Sequence, residues 1–177
     1  APTIVLKQDR PVLVLGSARL ATEESWLLAQ LFKGTVGAPQ VEFHPDLGPE
    51  RKIKNPGVPG GWLVGKEAAP NSRGAEAAGL VRAGKGSALA RLLDGSYTPE
   101  VLYVADAELT SRVSDPEFAK ALRRAKTLIV HGRRTNPLTD AADVLLPVAS
   151  LAGKEGTFMN VLGLVQRFQI AIVPPPL

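Results

Sequence analysis

The chain has 177 residues, 21 basic and 17 acidic side chains, a formal net charge of +4 and no cysteine. That length supports one domain with its own core, the missing thiols exclude disulfides, thiolate zinc sites and cysteine-ligated iron–sulfur clusters within it, and a near-balance of charges with 5% aromatics excludes the clustered basic surface of a nucleic-acid binder. No apolar run approaches the roughly 20 residues of a membrane span and no signal-peptide pattern opens the chain, so a cytoplasmic setting is the expectation.

The first element is Pro11 to Leu15, a continuous apolar run of the kind expected for a strand buried on both faces. Gly16-Ser17-Ala18 follows as a turn. Thr22 is the expected helix cap, with Glu23 and Glu24 where the helix dipole favours acids. Trp26, Leu27, Leu28, Leu31 and Phe32 are expected to face the core, and Gly34 and Gly37 to end the helix. Val41 to Phe43 predicts a second strand, giving a β-α-β unit. Pro45 to Gly61 reads as a loop, Pro70 to Gly74 as another, and Ala75 to Leu80 as a short helix.

Ser87 is placed to cap a helix over Ala88 to Leu93 that Gly95 stops. Val101 to Val104 predicts a strand. Asp115 caps a helix with Pro116 in its first turn. Phe118, Ala119 and Leu122 face inward, and Arg123, Arg124 and Lys126 suit the negative end. Thr127 to Val130 and Val144 to Leu146 predict further strands, with Pro147 closing the last because it has no N–H. Gly156 and Gly163 bracket a turn-rich segment where positive φ is expected, and Val165 to Ile172 resumes a β-like pattern. The reading is an α/β domain with a doubly wound, mainly parallel sheet flanked by helices. Residues 1–177 form one such domain, with two lobes, 1–66 and 67–177, sharing a sheet as the variant.

Few residues suggest chemistry. Gly79 to Ser87 nearly spells a phosphate-binding loop, but Gly86 stands where the magnesium-binding hydroxyl belongs, and the segment before it reads as helix rather than strand. The turn Gly16-Ser17-Ala18-Arg19 has one glycine, so the dinucleotide fingerprint is missing and Glu23 and Glu24 would repel an anion. It reads as a packing turn. His44 and Asp46 could give two metal ligands, short of a full set. His131 follows a predicted strand, where α/β folds often place active groups. Asp140 and Asp143 could orient it, with Ser17 or Ser150 as nucleophile, but no G-x-S-x-G elbow exists. Arg51 to Lys54 and Arg133-Arg134 read as solvated surface.

A set of blocks then stands out. Ala141-Ala142-Asp143-Val144-Leu145-Leu146-Pro147 leads to Gly153-Lys154-Glu155-Gly156-Thr157-Phe158-Met159-Asn160, and on to Gly163 and Val165-Gln166-Arg167. This resembles the "ADVVLP … EKEGTFTNTEGRVQ" signature of the molybdopterin oxidoreductase superfamily, in the branch of the large iron–sulfur subunit of bacterial NADH:quinone oxidoreductase (complex I). Leu20 to Leu28 is similar to that branch's "TNEENYLLQKL" helix, and Pro70 to Glu76 to its "PNTRGAE" segment. Val101 to Val104 matches the strand before a "G-x-N/D" ligand loop, and Thr135 to Asp143 the lead into "VVLP".

The resemblance implies the superfamily's α/β fold and a role in respiratory electron transport. It marks Ser17, Arg19, Asp106, Thr135 and Asn160 as vestigial ligand positions. Departures from the pattern imply that the ligand itself is gone. Ala105-Asp106-Ala107-Glu108 lacks the loop glycine, and a family Glu and Arg have become Leu162 and Leu164. The expectation is therefore a cofactor-free structural and assembly domain, without catalytic or metal-binding residues, excised from a larger subunit whose iron–sulfur clusters lie elsewhere in the parent. Its expected partners are other domains of that subunit and other peripheral-arm subunits, on the cytoplasmic face of the inner membrane and without membrane insertion or nucleic acid. The alternatives are the pterin-binding domain of a molybdenum-dependent oxidoreductase such as a formate dehydrogenase, and a stand-alone α/β enzyme using His131.

Overall fold

The computed structural model describes residues 11–36, 41–47, 51–53, 62–64, 67, 69–109 and 115–173. For 35–36, 51–53 and 62–64 only the backbone is described. The expected stop at Gly37, most of the loop from Pro45 to Gly61, and the C-terminal 174–177 lie outside these residues.

Strand β1 (Val12–Ser17) runs into helix α1 (Thr22–Ala29), which π-helical turns extend over Gln30–Val36. Strand β2 (Val41–His44) follows, then a small antiparallel pair, β3 (Arg51–Ile53) with β4 (Trp62–Val64). Helix α2 (Ser72–Ala77), strand β5 (Val81–Arg82) and helix α3 (Ala88–Asp94) come next. Strand β6 (Val101–Val104), helix α4 (Pro116–Leu122), strand β7 (Thr127–Gly132), helix α5 (Pro137–Asp140) and strand β8 (Val144–Pro147) complete the main layer. A 3₁₀ turn at Leu151–Gly153 leads to the hairpin β9 (Gly156–Met159) and β10 (Val165–Phe168).

Six strands form one parallel sheet in the order β5-β2-β1-β6-β7-β8. The first three spread one way from β1 and the last three the other way, so the winding reverses between β1 and β6. This is the doubly wound α/β architecture expected. The strands are apolar on both sides because both sides are covered. Leu13, Leu15, Leu102, Val104, Leu128 and Val130 pack with Leu89, Leu92, Phe118, Leu122 and Leu138 of α3, α4 and α5. Val14, Val41 and Phe43 pack on the other face with Leu28, Ala29, Phe32 and Ala75.

Several expected caps are in place. Ser87 accepts from the Ala90 N–H at 3.1 Å and Asp115 from the Glu117 N–H at 2.9 Å. Gly95 ends α3 with φ of 85°. Other local readings are corrected. Ala21, not Thr22, is the cap residue of α1, and Glu24 accepts its N–H at 2.7 Å. That leaves the Thr22 hydroxyl free to donate to the Thr157 carbonyl at 3.0 Å. The buried stripe of the first helix is Ser25, Leu28, Ala29 and Phe32, spaced as one helical face. Trp26, Leu27 and Leu31 fall off that stripe and are 52%, 59% and 47% exposed. Gly34 does not end the helix, because a glycine costs only about 1 kcal/mol there and Phe32 anchors the turn in the core.

The helix expected at Ala75 to Leu80 starts earlier, at Ser72, and Leu80 leaves it. Val81–Arg82 pairs with β2 as an edge strand too short to signal itself. Arg124 bonds the Leu92 and Leu93 carbonyls at the end of α3, rather than the end of its own helix. Lys126 pairs with Glu100. Near the C-terminus β10 pairs only with β9 and does not join the main sheet.

The two bracketing glycines differ. Gly163 holds φ of 82°, as expected. Gly156 does not have positive φ. It sits in a strand, and an added Cβ would lie 2.7 Å from Ala21 Cβ and 3.0 Å from Glu23 Oε2. Gly156 therefore lets β9 approach the start of α1. Gly156→Ala should lower stability by about 1–2 kcal/mol through overpacking. Gly163→Ala should cost about 1 kcal/mol through backbone strain in open space. Thermal denaturation of both variants checks this, and unchanged melting in either removes the corresponding explanation.

Candidate functional site

A cavity of about 430 Å³ opens where the winding reverses, beside the carboxyl ends of the parallel strands. Open α/β sheets bind ligands in this crevice, and the volume suits a small molecule. Each strand end contributes. The turn after β1 supplies Arg19, and β6 supplies Tyr103 and, just past its end, Asp106. The end of β7 brings His131, with Arg133 just past it. Glu24, Leu27, Leu28 and Leu31 of the first helix form one wall, and Val148, Leu151 and Lys154 another.

The cations around the cavity are matched by the chain's own carboxylates. Arg19 pairs with the nearly buried Asp46. Lys154 reaches both oxygens of Glu24 at 2.6 and 2.8 Å. Arg133 and Arg134 both pair with Glu108. The Tyr103 hydroxyl and His131 Nε2 are hydrogen-bonded, and their rings lie 5.1 Å apart. Burial pushes the Tyr103 hydroxyl up. Burial also pulls His131 below its ordinary value, with the charge of Glu24 opposing. The lowered value favours the neutral ring, whose unprotonated nitrogen can accept from Tyr103.

The vestigial ligand positions divide. Arg19 and Asp106 line the cavity. Asp106 closes a turn, accepting from the Glu108 N–H at 2.9 Å. Ser17 is fully buried, and its oxygen accepts from the Arg19 N–H at 3.0 Å. Thr135 is exposed and outside the cavity lining. Asn160 lines a separate cleft of about 250 Å³ and accepts from the Leu162 and Leu164 N–H groups at 2.9 and 3.0 Å.

The triad candidates do not assemble. Asp143 is bonded to Arg123 and to the Leu128 N–H, while Asp140 and Ser150 are exposed. His44 Nδ1 accepts from the Asp46 N–H at 2.9 Å. Among the described residues no group of three or more His, Asp or Glu is placed to hold a metal ion. The near-phosphate loop is a link, its Gly79 and Gly86 both at positive φ on either side of β5. Sequence reasoning found His131 but missed Tyr103, Glu24 and Lys154 as its neighbours. Alternation along β6 could have indicated Tyr103, which faces away from Leu102 and Val104.

The ionised groups predict a direction for acid stability. Hydrogen bonds from Arg134, opposed by burial and reinforced by Arg133, lower Glu108 from 4.5 to about 2. Its contribution is complete above the ordinary carboxylate value and is lost as pH falls toward 2. For His131 the unfolded chain takes up its proton first, so stability falls as pH drops below 6.5. Both effects destabilise in acid. Glu108→Gln should cost about 1–2 kcal/mol at neutral pH, after allowance for solvent screening. It should also flatten the loss between about pH 4.5 and 2. Urea midpoints measured against pH check this, and parallel curves for variant and parent would contradict it.

Residues 50–177 match the sequence profile of molybdopterin oxidoreductase. The chain is 35% identical over 82 residues to an NADH-quinone oxidoreductase subunit of Pseudomonas fluorescens, covering 46% of this chain and 9% of that protein. It is 38% identical over 76 residues to the same-named protein of Streptomyces coelicolor, covering 42% of this chain and 9% of that one. The matched stretch is thus a small part of either relative. Among the described residues no helix is long and apolar enough to cross a membrane. With the doubly wound sheet and the profile match, this chain belongs to the molybdopterin oxidoreductase family, and part of it is related to these NADH-quinone oxidoreductase subunits.

Proposed function

We propose that the chain is a cofactor-free structural and assembly domain of the large iron–sulfur subunit of an NADH:quinone oxidoreductase. The observation that carries this reading is the internal matching of Arg19, Lys154 and Arg133 by Asp46, Glu24 and Glu108 at the ligand end of the sheet. A pterin dinucleotide brings phosphates that need cations and N–H donors. Binding it here would break existing ion pairs and set its polar groups against leucines, at roughly 1–3 kcal/mol for each group left unpaired. The donor set does not fit that group. The rival reading, a pterin-binding domain of a molybdenum-dependent oxidoreductase such as a formate dehydrogenase, requires these pairs to open.

The surface supports an assembly role. Leu162 and Leu164 at the tip of the β9–β10 hairpin are 80% and 60% exposed, and Val161, Val165, Ile170, Ile172 and Val173 are exposed as well. Exposed apolar patches of this kind mark contact surfaces. The contacts are other domains of the same subunit and neighbouring peripheral-arm subunits, at the cytoplasmic face of the inner membrane. The iron–sulfur clusters belong to other parts of the parent, and residues 1–177 act as one supporting domain. The test is Leu162→Asp with Leu164→Asp, made both in the isolated chain and in the parent subunit. The isolated chain should keep its melting temperature while the parent loses incorporation into the complex on native gels. Normal incorporation would overturn the assembly role.

A further inference from the structure

We infer that the cavity between β1 and β6 is a binding site for a small uncharged molecule with an apolar body and one hydrogen-bonding end. Three observations carry it. The space is real, about 430 Å³ at the point where doubly wound sheets bind ligands. Its walls are mostly hydrocarbon, from Leu20, Leu27, Leu28, Leu31, Val148 and Leu151. Its cations carry internal counter-charges, which removes the attraction for an anion.

A polar spot remains among these walls. Tyr103 and His131 Nε2 share a hydrogen bond, which leaves further acceptor capacity on the Tyr103 oxygen for a ligand. A ligand carrying one hydroxyl could donate to that oxygen. Charge therefore selects against phosphates, the leucines select an apolar body, and the Tyr103–His131 pair selects one polar end. A volume of this size accommodates roughly 10–20 non-hydrogen atoms.

The inference does not rest on the assembly role, and its test is separate from it. The ¹⁵N-labelled chain is titrated with 2-naphthol, and with inorganic pyrophosphate in a parallel series. The naphthol should give saturable amide shifts at Leu28, Tyr103, Ala105, His131 and Leu151, with a Kd of about 0.1–1 mM, ordinary for so small a ligand. Ala149→Trp, at an exposed position on the cavity wall, should abolish the saturation while the hairpin amides of Thr157 and Met159 stay in place. Ala105→Leu, at another lining position past the end of β6, should weaken binding at least fivefold by an independent route. Tyr103→Phe should weaken it about fivefold without abolishing it. Pyrophosphate should cause no saturable shift. The inference is overturned if the naphthol shifts do not saturate, if they survive both filling variants and so report adsorption on the apolar surface, or if pyrophosphate binds the cavity more tightly than naphthol.

Discussion

Asn71→Ala should destabilise the chain by about 3–4 kcal/mol, from two buried partners each left unpaired at roughly 1–3 kcal/mol. Asn71 is completely buried at the cap position before α2. Its side-chain N–H donates to the Leu20 carbonyl at 2.8 Å, and its oxygen accepts from the Met159 N–H at 2.7 Å. Its own backbone N–H donates to the Ala18 carbonyl at 2.9 Å. One residue thus joins the turn after β1, the start of α2 and the strand β9, and alanine keeps only the backbone bond. Gly74→Ala attacks the same junction from outside, because its Cβ would lie 2.1 Å from Asn71 Oδ1 and 2.5 Å from Thr22 Oγ1. Urea denaturation should show both variants with much lower midpoints, and hydrogen exchange should show β9 opening first. A loss below about 1 kcal/mol for Asn71→Ala, the worth of a single ordinary hydrogen bond, would mean that the hairpin does not dock through this residue.

Glu42→Leu should cost about 3 kcal/mol, because two backbone donors lose a charged acceptor at roughly 1.5–3 kcal/mol each and added burial of leucine offsets part. Glu42 lies on β2 with no exposed surface, and its two oxygens accept from the Ala88 and Leu89 N–H groups, both at 2.8 Å. Those are first-turn donors of α3, which have no partner within the helix. The charge also lies at the positive end of the helix dipole. Glu42→Gln keeps one acceptor and should cost about half as much. Equal stability of parent and both variants in urea would show that Ser87 alone caps the helix.

The strands of the sheet were legible because burial on both faces leaves long apolar runs at Val12 to Leu15, Val101 to Val104 and Thr127 to Val130. Val81–Arg82 was not, since two residues carry no periodicity. The first helix misled because Trp26, Leu27 and Leu31 are as apolar as the core stripe yet point elsewhere, with Leu27 and Leu31 on the cavity wall. Composition cannot separate a core face from a second apolar face. Gly156 was legible as a required glycine but not for the right reason, because close approach to Ala21 depends on tertiary docking. At the cavity, His131 followed from its place after a strand, and Arg19 and Asp106 from the family resemblance. The Lys154–Glu24 pair did not, being 130 residues apart in sequence.

The proposed role is support of a redox subunit without the pterin cofactor. Isothermal titration calorimetry of the purified chain with a pterin guanine dinucleotide tests it most directly. The ion pairs at Arg19, Lys154 and Arg133 and the leucines around them predict no saturable heat up to about 1 mM, a binding free energy weaker than about −4 kcal/mol. Stoichiometric binding in the micromolar range, lost in Arg19→Ala and Lys154→Ala, would contradict the account and make the chain a pterin-binding domain.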